Sequence, residues 1–364
     1  MEHLFYQIAL TKIPKVGPIT ARTLVSYCGS PKDVFESNTK ALLKIPGIGA
    51  QLVQQIKSSE PLTLAEKELW HLEQHGISAH FYLDDHYPSR LKNYPDSPLV
   101  IYFKGNTGLN PERVVAIVGT RKPSIQGTTF CEEFLEQILP FNPLIISGLA
   151  YGIDICAHRK ALELKLPTIG VLAHGLAHLY PPAHHSAAQR MIENGGILTE
   201  YGFETTAEKE HFPLRNRIIA GMCDALLVVE TARHGGSIIT ANFANDYDKD
   251  VFAVPGRIKD PYSAGCNALI KTHQAHLLES ADDMIRMLRW DLSISGQGIQ
   301  QQLFTELDVE EKNIVNLLRH DEGKDIDTLT YLAQKSNSEM AALLLELEFK
   351  GVIKALPGKR YVLV

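Results

Sequence analysis

Val114-Val115-Ala116-Ile117-Val118-Gly119-Thr120-Arg121-Lys122-Pro123-Ser124 is the stretch that decides the fold. Five apolar residues, mostly β-branched, run into a glycine turn, and a polar turn follows from which a helix can start. A strand that is apolar at every position is covered on both faces, which is the habit of parallel sheets. The phrase recurs at residues 144–147, 169–172, 197–199, 225–229 and 251–254, with helical spacing in between. Strand, loop and helix in repetition predict an α/β chain with a Rossmann-like parallel sheet over residues 112–290.

Ligands of such sheets sit beyond the carboxyl ends of the strands, so the loops there carry the candidate site. The first loop offers Gly119, Thr120, Arg121 and Lys122 at a helix start, a combination that suits a phosphate. The second, Ser147-Gly148-Leu149-Ala150-Tyr151-Gly152-Ile153-Asp154, is also glycine-rich. Neither reads G-x-G-x-x-G. Ser147 and Gly148 stand where a dinucleotide binder places an acid for the ribose, so no nicotinamide cofactor, and no other, is expected. The third stretch is Lys209-Glu210-His211-Phe212-Pro213-Leu214-Arg215-Asn216-Arg217. Arginine forks hold phosphates, amides meet base edges and an aromatic face stacks a base, which is what a single nucleic-acid strand requires. Arg215 and Arg217 have the alternative of pairing with core carboxylates. A later turn adds Gly236, Ser237 and Thr240 for phosphate or base edges, with Glu230 as an acceptor.

The flanks differ from this core. Residues 1–60 hold two similar phrases, Ile13-Pro14-Lys15-Val16-Gly17 and Ile45-Pro46-Gly47-Ile48-Gly49, each setting a glycine turn between short helices. They look like a helix-hairpin-helix (SAM-like) pair, in which backbone amides hold phosphates; turns used only for packing or protein contacts are the alternative. Residues 61–111 read as an aromatic- and proline-rich extension packing on the core, and 291–302 as a linker. Residues 303–364 read as three helices and a hairpin around Pro357-Gly358-Lys359-Arg360, a winged-helix domain. Its apolar stripe is Leu332, Met340, Leu343, Leu344, Leu347 and Phe349. Glu339, Glu346 and Glu348 on its third helix repel phosphates, so protein contact stands beside duplex binding.

Composition narrows the function classes. A hydrophobic fraction of 45% with 21% charged residues is that of a globular chain. The net charge of −6 argues against a generally basic coat, so any nucleic-acid contact must be focused in one cleft. Cys28, Cys131, Cys156, Cys223 and Cys266 form no C-x-x-C pair and read as free thiols. No apolar run is long enough to span a bilayer and no signal peptide is evident, so a cytoplasmic location is expected. His71 and His75 lack the zincin order, and His174, His178, His184 and His185 are loosely spaced; no metal is expected.

The motifs taken together resemble the DNA-processing protein A family (DprA, also called Smf). They occur in order: Val118-Gly119-Thr120-Arg121, Ser147 to Asp154, Tyr180-Pro181, Phe212 to Gly221, Gly236-Ser237-Ile238-Ile239-Thr240, Val254-Pro255-Gly256 and Gly265 to Ile270. The resemblance implies binding of single-stranded DNA taken up in natural transformation, loading of the recombinase RecA, and a homodimer formed through the core. It implies that Arg121, Lys209, Phe212 and Arg217 line the DNA pocket. Thr120 stands where the family usually has serine, and Pro182, His184 and His185 follow the Tyr-Pro where basic residues are frequent. The competing reading is a Rossmann-like nucleotide-processing enzyme of the phosphoribohydrolase kind. By spacing, Asn242 falls where such an enzyme has its glutamate, and an amide is no general acid or base. A non-enzymatic role is therefore expected.

Overall fold

The protein is described by a computed structural model covering residues 2–290, 308–318, 324–333, 335–350, 352–356 and 360–363. The expected linker at 291–302 and Pro357 to Lys359 of the hairpin turn lie outside the described residues. The chain divides into two units, Met1–Ile285 and Arg286–Val364.

The first unit is built on a nine-stranded sheet. Its strands are β1 (Ser78–Phe81), β2 (Val100–Gly105), β3 (Val114–Val118), β4 (Leu144–Ser147), β5 (Thr168–Val171), β6 (Gly195–Thr199), β7 (Ala225–Val228), β8 (Asp250–Ala253) and β9 (His276–Leu277). They lie in the order β1-β2-β6-β5-β4-β3-β7-β8-β9. Strands β3 to β9 pair in parallel, and every residue of β3 is buried, which is why its sequence is continuously apolar. After β3 the chain winds to one side through β4, β5 and β6, then returns to β7 on the other. The order of strands therefore reverses at β3, where a crevice opens beyond the carboxyl ends of β3 and β7.

The segment read as an extension contributes β1 and β2, an antiparallel pair that joins the sheet at β6. Tyr102 of β2 is buried in a second core with Ile8, Leu10, Leu24, Val53, Ile56 and Leu72, which fuses the N-terminal helices to the sheet edge. The two hairpins of that region are built alike. Lys15 (φ 62°) in one and Gly47 (φ 80°) in the other occupy the left-handed region, and Gly17 and Gly49 cap the next helices. Glycine takes that conformation freely while lysine is strained there, so the second hairpin is the better formed by sequence.

The second unit holds helices Val309–Leu318, Ile326–Ala333 and Asn337–Phe349 and a sheet of β10 (Lys324–Asp325), β11 (Ile353–Leu356) and β12 (Arg360–Leu363) in the order β10-β12-β11. Ile314, Leu329, Met340, Leu344 and Leu347 form its core. Leu332 and Phe349 do not belong to that stripe: they are 44% and 84% exposed. Among the described residues no helix is long and apolar enough to cross a membrane.

Candidate functional site

The crevice at the strand reversal is a cleft of about 550 Å³. Gly119, Thr120 and Arg121 enter it from the loop after β3, and Lys209, Phe212, Arg215 and Asn216 from around the start of helix His211–Met222. Gly236, Ser237 and Thr240 enter from the turn after β7. Residues from three distant stretches thus meet in one place.

At the mouth, cation and aromatic groups are stacked in a row. The exposed Arg121 guanidinium lies 5.7 Å from the Phe212 ring centroid, and the Tyr180 ring meets Phe212 edge-on at 5.9 Å and 68°. Lys209 is exposed beside them. Tyr180, 49% exposed, escaped the reading of the residues by their chemistry. Its signal was the Tyr-Pro pair itself, at the end of a loop that β5 projects into the cleft.

The floor is a different kind of structure. Arg215 is only 4% exposed and donates to the carbonyls of Gly148, at 2.7 Å, and Val171. Burial pulls its pKa down to about 10, which the neighbouring Asp154 opposes. Asp154 is itself pushed above the usual carboxylate range by burial, with Arg215 acting the other way. Gly148 makes room for this arginine, since a Cβ there would lie 2.5 Å from the guanidinium. Ser147 is fully buried and its hydroxyl donates to Ile117 O at 2.6 Å. Ser147 and Gly148 therefore build the floor without lining the cleft. Gly152, at φ +83°, lets the next loop lie against the Thr120 carbonyl, which accepts from the Ile153 amide at 3.2 Å.

Other features also differ from the expectation. Arg217 lies outside the cleft lining, its guanidinium bonded to the Glu200 carboxylate at 2.5 Å. Burial raises Glu200 above its usual range, and Arg217 is the largest effect opposing it. The helix N-terminus after β3 is also occupied. Ser124 caps helix Ile125–Ile138, and its amide (2.9 Å) and hydroxyl (2.5 Å) both donate to the Glu230 carboxylate. An internal carboxylate thus fills the position where the sequence suggested a phosphate, and Glu230 is committed to the fold. Lys122 is exposed but beside the cleft, not in its lining.

The segment leading to Lys209 is held from the N-terminal side, which the sequence did not reveal. Glu68, 6% exposed, accepts from the Phe203 amide and from Lys12, each at 2.7 Å. The Phe203 ring stacks on His71 and His75, both at 4.5 Å and 20°. Those two histidines thus serve packing; among the described residues no three His, Cys, Asp or Glu groups gather as metal ligands. Asn242 is exposed on helix Gly236–Asp246 and does not line the cleft.

Known proteins are similar to this chain. A family model for DNA recombination-mediator protein A matches residues 78–289, a SAM-like helix-hairpin-helix tandem matches 8–59, and the DprA winged helix domain matches 301–359. Protein Smf of Escherichia coli is 32% identical over 310 residues, covering 82% of this chain and 81% of the relative. The DNA processing protein DprA of Streptococcus pneumoniae is 41% identical over 203 residues, covering 56% and 71%. Its crystal structure superposes with a TM-score of 0.63 at 31% identity, covering 78% of this chain and 97% of that one. The Helicobacter pylori DNA processing protein A, whose structure was described for its single-stranded DNA binding mode, superposes with a TM-score of 0.54 at 28% identity, covering 59% and 96%. The core model spans more than half of the chain, over the very loops that build the cleft, and the chain is therefore a member of the DNA recombination-mediator protein A (DprA/Smf) family.

Proposed function

We propose that the cleft binds single-stranded DNA without preference for sequence, and that the protein delivers the strand to a RecA-type recombinase during transformation or recombination. The observation that carries this reading is the row Arg121–Phe212–Tyr180 at the cleft mouth with Lys209 beside it. Unpaired bases offer π-faces to an aromatic and phosphates to a cation, and a duplex hides the former. The Helicobacter pylori relative, with its single-stranded DNA binding mode, supports the same ligand. The role is binding, not chemistry: the carboxylate nearest the cleft, Asp154, is buried beside Arg215, and Asn242 offers an amide outside it. In this reading Arg121 and Lys209 hold phosphates, Phe212 stacks a base, Asn216 meets base or backbone edges, and Arg215 adds positive potential from below. A homodimer through the last helices of the core and a cytoplasmic location complete it.

The test is fluorescence anisotropy with labelled oligo-dT and the corresponding duplex at low and moderate salt. Salt-sensitive binding of the single strand alone, lost in Arg121→Ala/Phe212→Ala, is the expected result. Absence of single-strand binding at low salt rejects the reading. Recombinase loading is tested by whether the protein speeds RecA filament growth on a strand already coated by single-strand-binding protein.

A further inference from the structure

Helix Gly236–Asp246 begins at the cleft wall, where Gly235, Gly236 and Ser237 form the lining. Its N-cap is Gly235 and no side chain caps it. The first amides of a helix have no intrahelical acceptor, and here the Ile238 amide folds back on the Gly235 carbonyl at 3.1 Å, which leaves those of Gly236 and Ser237. Helix Ile125–Ile138 shows the opposite state, with Ser124 and the Glu230 carboxylate at its start. A second, independent observation points to a ligand. Ser237 is only 6% exposed, it lines the cleft, and its Oγ has no hydrogen-bond partner. A buried hydroxyl left unpaired is costly, and an acceptor oxygen arriving from the cleft removes that cost.

We propose that the Gly235–Ser237 turn is a phosphate subsite, in which one phosphate accepts from Ser237 Oγ and from the Gly236 and Ser237 amides. The helix dipole favours an anion at that point. The phosphate comes either from the backbone of a bound strand, which rests on the function proposed above, or from a free nucleoside monophosphate. Gly236 makes the subsite testable without disturbing the fold, because a Cβ there meets nothing within 4 Å. Gly236→Asp places a carboxylate at the helix start, as Glu230 does for the neighbouring helix, and so competes with the ligand.

The experiment uses the full chain and the variants Ser237→Ala and Gly236→Asp, with melting temperature as the control for folding. Oligo-dT binding is followed at several salt concentrations, and thymidine 5′-monophosphate is compared with thymidine by calorimetry. Loss of one hydrogen bond to a charged oxygen predicts about tenfold weaker binding for Ser237→Ala. Gly236→Asp is expected to weaken oligo-dT binding further and to lower the log–log salt slope by about 0.7. An effect on oligo-dT alone identifies a strand phosphodiester. A preference for the monophosphate over thymidine that vanishes in Gly236→Asp identifies a mononucleotide phosphate, even if oligo-dT fails to bind. Folded variants with wild-type affinity, slope and monophosphate preference overturn the subsite. If Phe212→Ala still weakens oligo-dT binding in that case, the strand-binding function stands without it.

Discussion

Phe212 and Arg121 share one contact but do different work, and their variants separate it. Phe212→Ala removes a stacking face and is expected to cost about 1–3 kcal/mol of single-strand affinity, with the salt slope retained. Arg121→Ala removes a phosphate contact and is expected to lower the slope of log affinity against log salt by about 0.7. Both are read from anisotropy titrations of oligo-dT. Arg217→Ala belongs to stability. It leaves the Glu200 carboxylate without its partner, with an expected cost of about 3–5 kcal/mol in chemical denaturation. A carboxyl raised above its usual range takes up its proton more readily in the folded chain, so it favours folding as pH falls and opposes it as pH rises. Glu200 is already raised by burial, and losing Arg217 raises it further. The stability deficit of Arg217→Ala should therefore narrow as pH falls and Glu200 takes up its proton; a deficit independent of pH would mean that the carboxylate is not what suffers.

The element of most consequence is the segment between β6 and helix His211–Met222, because it carries Lys209 to the cleft mouth. Its hold is the Phe203 ring against two histidines and its amide on Glu68. Phe203→Ala removes ring contacts worth about 0.5–1.5 kcal/mol beyond buried area. Faster proteolytic cleavage within residues 204–210 is expected, with weaker oligo-dT binding but an unchanged salt slope, since no phosphate contact is lost. A changed slope would place Phe203 or its neighbours on the strand itself. In the C-terminal unit, helix Asn337–Phe349 has a Ser336–Glu339 capping box, and the Glu348 carboxylate accepts from the Ala355 amide at 3.2 Å. Exposed Leu345 and Phe349 on that helix suit contact with another protein better than with a phosphate backbone.

For the whole molecule, the cleft lining runs from Val118 to Tyr262 and lies wholly within the first unit, while the second unit has its own core. A chain ending at residue 290 is therefore expected to bind oligo-dT with the full-length affinity and salt slope. A loss of tenfold or more by anisotropy would assign part of the binding to the C-terminal unit.

The sequence by itself determined the sheet and the family. Residues such as Val114 to Val118 have no burial open to them but a strand covered on both faces, and their loops then fall together at the strand reversal. Strands β1 and β9 were not legible, because short segments at a sheet edge are specified by their neighbours more than by their own pattern, and β2, paired with β1 and β6, was missed with them. The sequence also collected Arg121, Arg215 and Arg217 as candidates, with pairing to core carboxylates as the alternative for the last two. Only the tertiary structure sorted them, through partners that chain proximity does not predict: Gly148 and Val171 carbonyls for Arg215, Glu200 for Arg217, and an open cleft for Arg121. The same holds for the two helix starts, one filled by a carboxylate 106 residues from Ser124 and the other left open at Gly236. Residue type sets what a group can bond, but burial and the nearest opposite group in space set what it does bond.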